Sequence, residues 1–374
     1  MWFYLSIFLV LALLSFIEIF FGIEKRISIL IAVCISFFWG VLSCIRNGGP
    51  GDWENYQAYY TYLNYNNVFY LGIEPLYGLL NCIAKSIYEN YHFFLFLENL
   101  IVMPIMCYSI FYLNDCTKGQ NWDKKNSYIL TMFLIIWSLS FGNIFIIRST
   151  IAILFCLLSI KYIEKQKLLR FLFCIAIAAM FHRSAVFFFP AYFIYKLRLK
   201  KIHYFIMFFF TALILYFGNA NQIMLSIANL LGDAFYSKAE MYIETGNTIT
   251  YGIGYSVVFL MIKAILNIGF SLFVFLLLKK YFKNDNRYLG SVNLYFIGSI
   301  LYIITLSVAT AFSRVAGYYI YIQIVLIPYI FKIKEKKSFK LLIFFTLIVY
   351  LLIRMIVNLG NFESYIPFQT IFNT

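Results

Sequence analysis

Apolar residues in this chain come in long, nearly unbroken runs separated by short polar clusters. A helix needs about 20 mostly apolar residues to cross the hydrocarbon of a bilayer. Measured against that length, twelve runs predict helices: 3–22, 27–45, 93–113, 128–147, 149–163, 168–182, 184–197, 202–219, 253–278, 288–312, 315–331 and 339–357. Those at 149–163 and 184–197 are short. The pattern predicts an all-α polytopic bundle of about twelve transmembrane helices, with 1–374 as a single transmembrane domain. Two intervening segments are long, 46–92 and 219–252. Within the first, the amphipathic stretch opened by Gly72-Ile-Glu74-Pro75-Leu-Tyr77 and running to about Tyr88 is too polar for a span and predicts an interfacial or re-entrant helix.

Composition supports the same class. Of 374 residues, 63% are hydrophobic and 12% charged, with a mean hydropathy of +0.82. A soluble domain carries about 25% charged residues, so a soluble chain is excluded. The net charge of +14 would suit nucleic acid. The basic residues, however, sit in short clusters between apolar runs, as topology signals do, and no nucleic-acid partner is expected. The first run lacks a basic leader and a small-residue cleavage site, so it predicts a helix rather than a secretory signal. The seven cysteines have no metal-ligand spacing. Cys44 and Cys82 fall on one predicted side, where a disulfide is one option.

Orientation follows from lysine and arginine. With the loop after the first helix in the cytoplasm and the others alternating, the cytoplasmic loops hold 22 of the 30 basic residues. They include Lys25 and Arg26, Lys161 to Arg170, Lys196 to Lys201, Lys279 to Arg287, and Lys332 to Lys340. Both termini then lie on the non-cytoplasmic side. That side and the membrane keep Arg46, Lys85, Arg148, Arg183, Lys238, Lys263, Arg314 and Arg354. Five of these eight are arginine, against four of the 22 inside. Lysine meets the topology rule as a hydrated point charge, whereas the arginine fork matches phosphate oxygens. The outer face is therefore suited to an anion.

Chemistry gathers on that face. Arg46-Asn-Gly-Gly-Pro-Gly-Asp52-Trp-Glu54-Asn-Tyr56 puts an arginine, two acids and aromatics around a glycine-rich turn. Tyr56, Tyr59, Tyr60, Tyr62 and Tyr65 follow, then Glu74-Pro75-Leu-Tyr77. Tyrosine faces suit sugar rings and also membrane interfaces. Arg148 opens a helix, where a cation opposes the helix dipole unless an anion binds there too. His182, one of three histidines, sits at an outer turn beside Arg183 and Ser184, and Arg314 occupies a similar turn before Tyr318. Lys263 falls in mid-helix and should face a cavity or a partner. Glu18, near the cytoplasmic end of the first helix, is expected to reach the headgroups. Asp52 and Glu54 could hold a divalent ion, but two carboxylates are too few to assign a site; no metal or cofactor is expected.

These residues, in this order, resemble the EpsG and Wzy families of bacterial polysaccharide polymerases. The matching positions are Arg46 and Gly51-Asp52 with Tyr56, Glu74-Pro75-x-Tyr77, Arg148-x-x-Ile-Ala, Phe181-His182-x-Ser184-Ala185, Arg314 with Tyr318, and Tyr365-x-Pro367. The chain departs from the family where Gly-Thr-Asp-Tyr is common, having Pro50-Gly51-Asp52-Trp53 instead. The resemblance implies a membrane glycosyltransferase of GT-C type at the outer face of the bacterial inner membrane. Its substrate would be an oligosaccharide linked to undecaprenyl pyrophosphate, in contact with membrane lipid and with a chain-length regulator as a candidate partner. It further implies His182, Asp52 or Glu74 as base or acceptor-orienting group. Arg148, Arg314, Arg46, Arg183 and Lys263 would serve the pyrophosphate, and Tyr56, Tyr77 and Tyr318 the sugars. A flippase or exporter for lipid-linked oligosaccharide, a glycan O-acyltransferase and an O-antigen ligase are the rival classes. A flippase predicts charge throughout a central cavity, and an acyltransferase predicts a nucleophilic centre that the chain does not show. The ligase shares the donor chemistry.

Overall fold

The computed structural model describes residues 1–48, 53–69, 73–115, 127–145, 148–216, 220–230, 232–246, 270–308, 313–333, 336–360 and 368–372. The structure is all-α and polytopic. Six helices among the described residues are long and apolar enough to cross a membrane: Trp2–Phe20, Lys25–Ile45, Tyr91–Asn114, Asn286–Thr305, Arg314–Lys332 and Lys337–Leu359. Shorter apolar helices lie at Ile129–Ser140, Leu168–Phe181, Arg183–Ile194 and Lys201–Ile214. The chain divides into two compact units, one of Met1–Phe189 with Ile324–Thr374 and one of Pro190–Gln323.

The first unit contains α1 (Trp2–Phe20), α2 (Lys25–Ile45), α3 (Trp53–Tyr62), α4 (Pro75–Ile87), α5 (Tyr91–Asp115), α6 (Ile129–Ser140), α7 (Arg148–Glu164) and α8 (Leu168–Phe181). At its centre stands α6, buried on every side from Ile129 to Ser138. A helix apolar all round belongs in a core, and α6 packs against α1, α2 and α5. Its twelve residues rise only about 18 Å, so both ends lie inside the protein and their backbone groups need partners there. Glu18 supplies one end. Its carboxylate accepts from the backbone N–H of Leu130 at 3.1 Å and of Thr131 at 3.0 Å, and from the Ser127 hydroxyl at 2.8 Å. The expectation that Glu18 reaches the headgroups is corrected: it is wholly buried. The other end is met by Asn358, whose amide donates to the carbonyls of Ser138 at 3.2 Å and Leu139 at 3.3 Å.

The run at 128–147 stops short as a helix because the backbone turns left-handed at Phe141 (φ 52°) and Gly142 (φ 67°). A Cβ on Gly142 would meet the Trp39 ring at 2.5 Å, so glycine is required for both space and conformation. Gly40 likewise lets α2 approach α5, with Met103 occupying the space its Cβ would fill.

Two expected helices are irregular along their length rather than continuous α-helix. The run at 184–197 forms a 3-10 segment, Arg183–Phe188, then α9, Ala191–Ile194. Pro190 at the junction lacks an N–H and cannot continue the regular helix through it. The run at 315–331 forms α15 (Ser313–Ile320), α16 (Gln323–Leu326) and a 3-10 segment, Ile327–Lys332, with Pro328 near its start. After these comes α17, Lys337–Gly360, which packs on α6 and α1. Cys44 and Cys82 are both free thiols, so no disulfide joins them.

The second unit adds α10 (Lys201–Tyr216), α11 (Ala220–Leu230), α12 (Asp233–Gly246), α13 (Phe270–Leu278) and α14 (Asn286–Val308). Here α14 is central, packing against α9, α10, α11, α13 and α15. Its buried Asn293 is fully used. The side-chain oxygen accepts from the Tyr204 hydroxyl at 2.5 Å, and the amide donates to the carbonyls of Leu197 at 2.8 Å and Ile194 at 3.3 Å.

Contacts within the first unit agree with alternating loops. At one end Phe3 stacks on Phe368, with ring centroids 4.6 Å apart, and residues 45–47 pair in antiparallel fashion with 369–371 through bonds of 3.0 and 2.8 Å. At the other end Glu18 meets Ser127, and Tyr112 bonds Glu164 at 3.1 Å.

Candidate active site

The site lies in the first unit, at the end that carries residues 45–47. Pro75 begins α4, where its fixed φ and missing N–H are tolerated. Glu74 precedes it in extended conformation, and its carbonyl accepts the first helical bond, from Gly78, at 2.9 Å. Its side chain makes no cap bond and reaches outward instead. Oε2 accepts from Nη1 of Arg148, the first residue of α7, at 2.8 Å, and Oε1 faces the backbone N–H of Arg183 at 3.4 Å. The Arg148 and Glu74 side chains are 18% and 10% exposed.

Aromatic rings enclose the guanidinium. Its central carbon lies 4.9 Å from the Tyr56 ring, 5.4 Å from Tyr77 and 5.8 Å from Tyr59. The negative ring faces attract the cation, and more strongly where water is excluded. Burial alone would raise the Glu74 carboxyl; the Arg148 guanidinium, with help from His182, outweighs it and holds the group below the usual carboxylate range. Burial pushes the Tyr77 phenol well above its ordinary value, so it stays protonated. The Arg148 Nε and the Tyr91 hydroxyl are buried without a hydrogen-bond partner among the described residues.

His182 ends α8 in extended conformation, and its carbonyl accepts from Ala185 at 2.9 Å to start the 3-10 turn. That turn folds Ser184 back, so that its Oγ lies 2.6 Å from His182 Nδ1. The Arg183 side chain is exposed, and its backbone N–H faces Glu74.

Arg46 stands on the far side of the same aromatic cluster. It is 1% exposed, with its guanidinium 4.6 Å from the Trp53 ring and 5.8 Å from Phe145. Between the two arginines run Tyr56, Tyr77, Phe94, Tyr60, Tyr91 and Trp53, each ring 5.1–6.1 Å from the next. Glu98, buried in α5, interacts electrostatically with Arg46.

Of the residues expected from the sequence, Glu74, Arg148, His182, Arg183, Tyr56, Tyr77 and Arg46 therefore gather in one unit. Arg314 is exposed on α15 of the second unit, where Tyr318 is buried. Asp52 and Lys263 lie outside the described residues. Glu98 and Tyr91 escaped the sequence reading. Glu98 carried a usable signal as the single charge in the run 93–113, since an ionisable group inside an apolar span is a functional candidate by default. Tyr91 carried none.

Six long apolar helices among the described residues, with a part-buried arginine–carboxylate pair set among aromatic rings in one unit, define a polytopic membrane protein with a polar site. The EpsG family model matches residues 29–370, and the chain belongs to the EpsG family. Membership implies a glycosyltransferase-like enzyme, consistent with polysaccharide polymerisation. No curated protein and no solved structure matches the chain.

Proposed function

We propose that this protein polymerises lipid-linked glycan repeat units, moving a growing chain from undecaprenyl pyrophosphate to a hydroxyl of the next lipid-linked unit. The observation that carries this reading is the Arg148–Glu74 pair beside His182. In the transfer, the bond between the anomeric carbon and the pyrophosphate oxygen breaks, and its electron pair leaves with the pyrophosphate. The acceptor oxygen bonds the same carbon and loses its proton to a base.

Arg148 meets the charge developing on the leaving group, the kind of preorganised electrostatic aid that is usually a large catalytic contribution. Glu74 is ionised and bonded to Arg148, which suits it to aim the guanidinium rather than to take a proton. His182 is the proton acceptor. In the neutral tautomer whose Nδ1–H donates to Ser184 Oγ, the basic lone pair of the ring is on Nε2. Tyr59, more exposed than Tyr56 and Tyr77, offers a ring face for a sugar. Arg46, Asp52, Arg183, Lys263, Arg314 and Tyr318 are further candidates for donor or acceptor. The lysine pattern supports a site on the outer face.

The test is deletion of the gene in its native host, followed by complementation with wild type or His182→Ala and electrophoresis of the surface polysaccharide. Loss of the ladder, with a single repeat unit still attached to its surface acceptor, supports the polymerase. Loss of all surface glycan points to a flippase or ligase and rejects it.

A further inference from the structure

The second unit has a basic cavity that the proposed polymerase chemistry does not use. It measures about 210 Å³, and its lining includes Leu197, Arg198, Lys279, Lys283, Leu289 and Asn293. Two chain segments far apart in sequence build it, the turn after α9 and the loop after α13 together with the first turns of α14. Lys279 pins them together, its ammonium donating to the carbonyl of Leu199 and, at 3.1 Å, to the Tyr204 hydroxyl, while lying 4.4 Å from the Tyr204 ring. Arg198 adds a second tie, donating to the Asn286 side-chain oxygen at 2.6 Å.

Among the described residues, three cations line this concavity and no acid does. The adjacent acid, Asp285, is turned toward the start of α14, where it accepts from the backbone N–H of Tyr288 at 3.0 Å. Burial also pushes the Lys279 ammonium below its ordinary pKa, a cost that an anion in the cavity would offset. The surroundings suit a lipid. Helix α10 starts beside the cavity at Lys201 and leaves Ile202, Phe205, Phe208 and Phe209 exposed. A phosphate in the cavity would place acyl chains along that apolar face. Basic pockets beside membrane helices recognise anionic headgroups in this way.

We propose that Arg198, Lys279 and Lys283 form a binding site for the phosphate of an anionic phospholipid, with its acyl chains against α10. This site is independent of the polymerase reading and separate from the residues assigned to it. Arg198 and Lys283 are exposed, and when they are replaced Lys279, with its bonds to Leu199 and Tyr204, still holds the two segments together.

The test is titration of the purified full chain in neutral detergent with short-chain phosphatidylglycerol, followed by native mass spectrometry. Phosphatidylcholine and inorganic phosphate are run as separate arms. Two surface charges near a headgroup contribute about 1 kcal/mol each, so the double variant Arg198→Gln/Lys283→Gln should bind phosphatidylglycerol about thirtyfold more weakly. The control Lys165→Gln/Lys167→Gln, which removes two exposed lysines from the first unit, should bind as wild type. Wild-type affinity in the cavity variant, or equal loss in the control, overturns the site. Equally tight phosphatidylcholine binding overturns the headgroup selectivity. Displacement of the lipid by millimolar inorganic phosphate identifies a free-anion site and overturns the lipid assignment.

Discussion

Glu74 and Arg148 stand 74 positions apart in the chain, yet a carboxylate oxygen of one lies 2.8 Å from a guanidinium nitrogen of the other. Each comes from the start of its own helix, and the pair joins α4 to the bundle core. The contact makes two demands on the same arginine, to hold the fold and to face an anion.

Replacing Arg148 should separate those demands. Arg148→Ala leaves a buried carboxylate without its partner, which costs roughly 3 kcal/mol, and should abolish the polysaccharide ladder. Arg148→Lys keeps the charge but not the fork, and should restore membrane levels while slowing polymerisation by about a hundredfold or more. A full ladder from Arg148→Lys would show that charge alone suffices. Arg314→Ala in the same assay tests the second candidate cation and is expected to lose the ladder as well.

The ionised state of Glu74 gives a pH dependence of stability. Its folded pKa lies below the ordinary 4.5, so its contribution is complete above about pH 4.5 and is lost as the pH falls through the folded value. Detergent-solubilised wild type should melt above Glu74→Gln at pH 7, and the difference should shrink below pH 4.5. A constant gap across that range would mean that the pair's ionic character contributes nothing.

His182 and Ser184 should behave as a unit. His182→Ala is expected to lower polymer yield by a hundredfold or more, within the range of general base catalysis. Ser184→Ala leaves the ring but removes the partner of Nδ1, so it should cost less and shift the pH profile of polymer formation in isolated membranes. An unchanged profile would remove Ser184 from the proton path.

Gly142→Ala should destabilise without touching the site chemistry. The position needs φ 67° and its Cβ would strike Trp39. Overpacking and the left-handed backbone each cost about 1 kcal/mol or more. Thermal unfolding monitored by tryptophan fluorescence should show a clear drop in the midpoint, and wild-type stability would refute the steric argument.

Orientation is open to chemical labelling. Single cysteines at Asp52 and Ser237, in a background without other cysteines, should react with an impermeant thiol reagent added outside. A cysteine at Lys124 should not. The reverse pattern would invert the assignment of the site to the outer face.

The membrane class and the outline of the site were legible in the sequence because they rest on local quantities: run length, lysine placement and short motifs. Glu74-Pro75, Arg148 and His182-x-Ser184 stood out as polar groups at helix ends, where the structure brings them together. Three things were hidden because they depend on tertiary partners. Glu18 looked like a headgroup contact, since nothing nearby in sequence announces that it binds the backbone of α6. The runs at 184–197 and 315–331 looked like plain helices, because hydropathy does not register where a proline redirects the backbone. The stack of rings between Arg46 and Arg148 combines tyrosines from α3, α4 and α5, and no periodicity within one helix reveals it.

The strand-like pairing of residues 45–47 with 369–371 has a consequence for biogenesis. Arg46 pairs with backbone that lies more than 300 residues later in the chain. Helices α1 to α8 can form in order, yet this edge of the candidate site closes only once residues 369–371 have been made. A nascent chain that has not reached them therefore holds Glu74, Arg148 and His182 without the strap beside Arg46, so a truncation before residue 369 should disturb the Arg46 side of the cluster first.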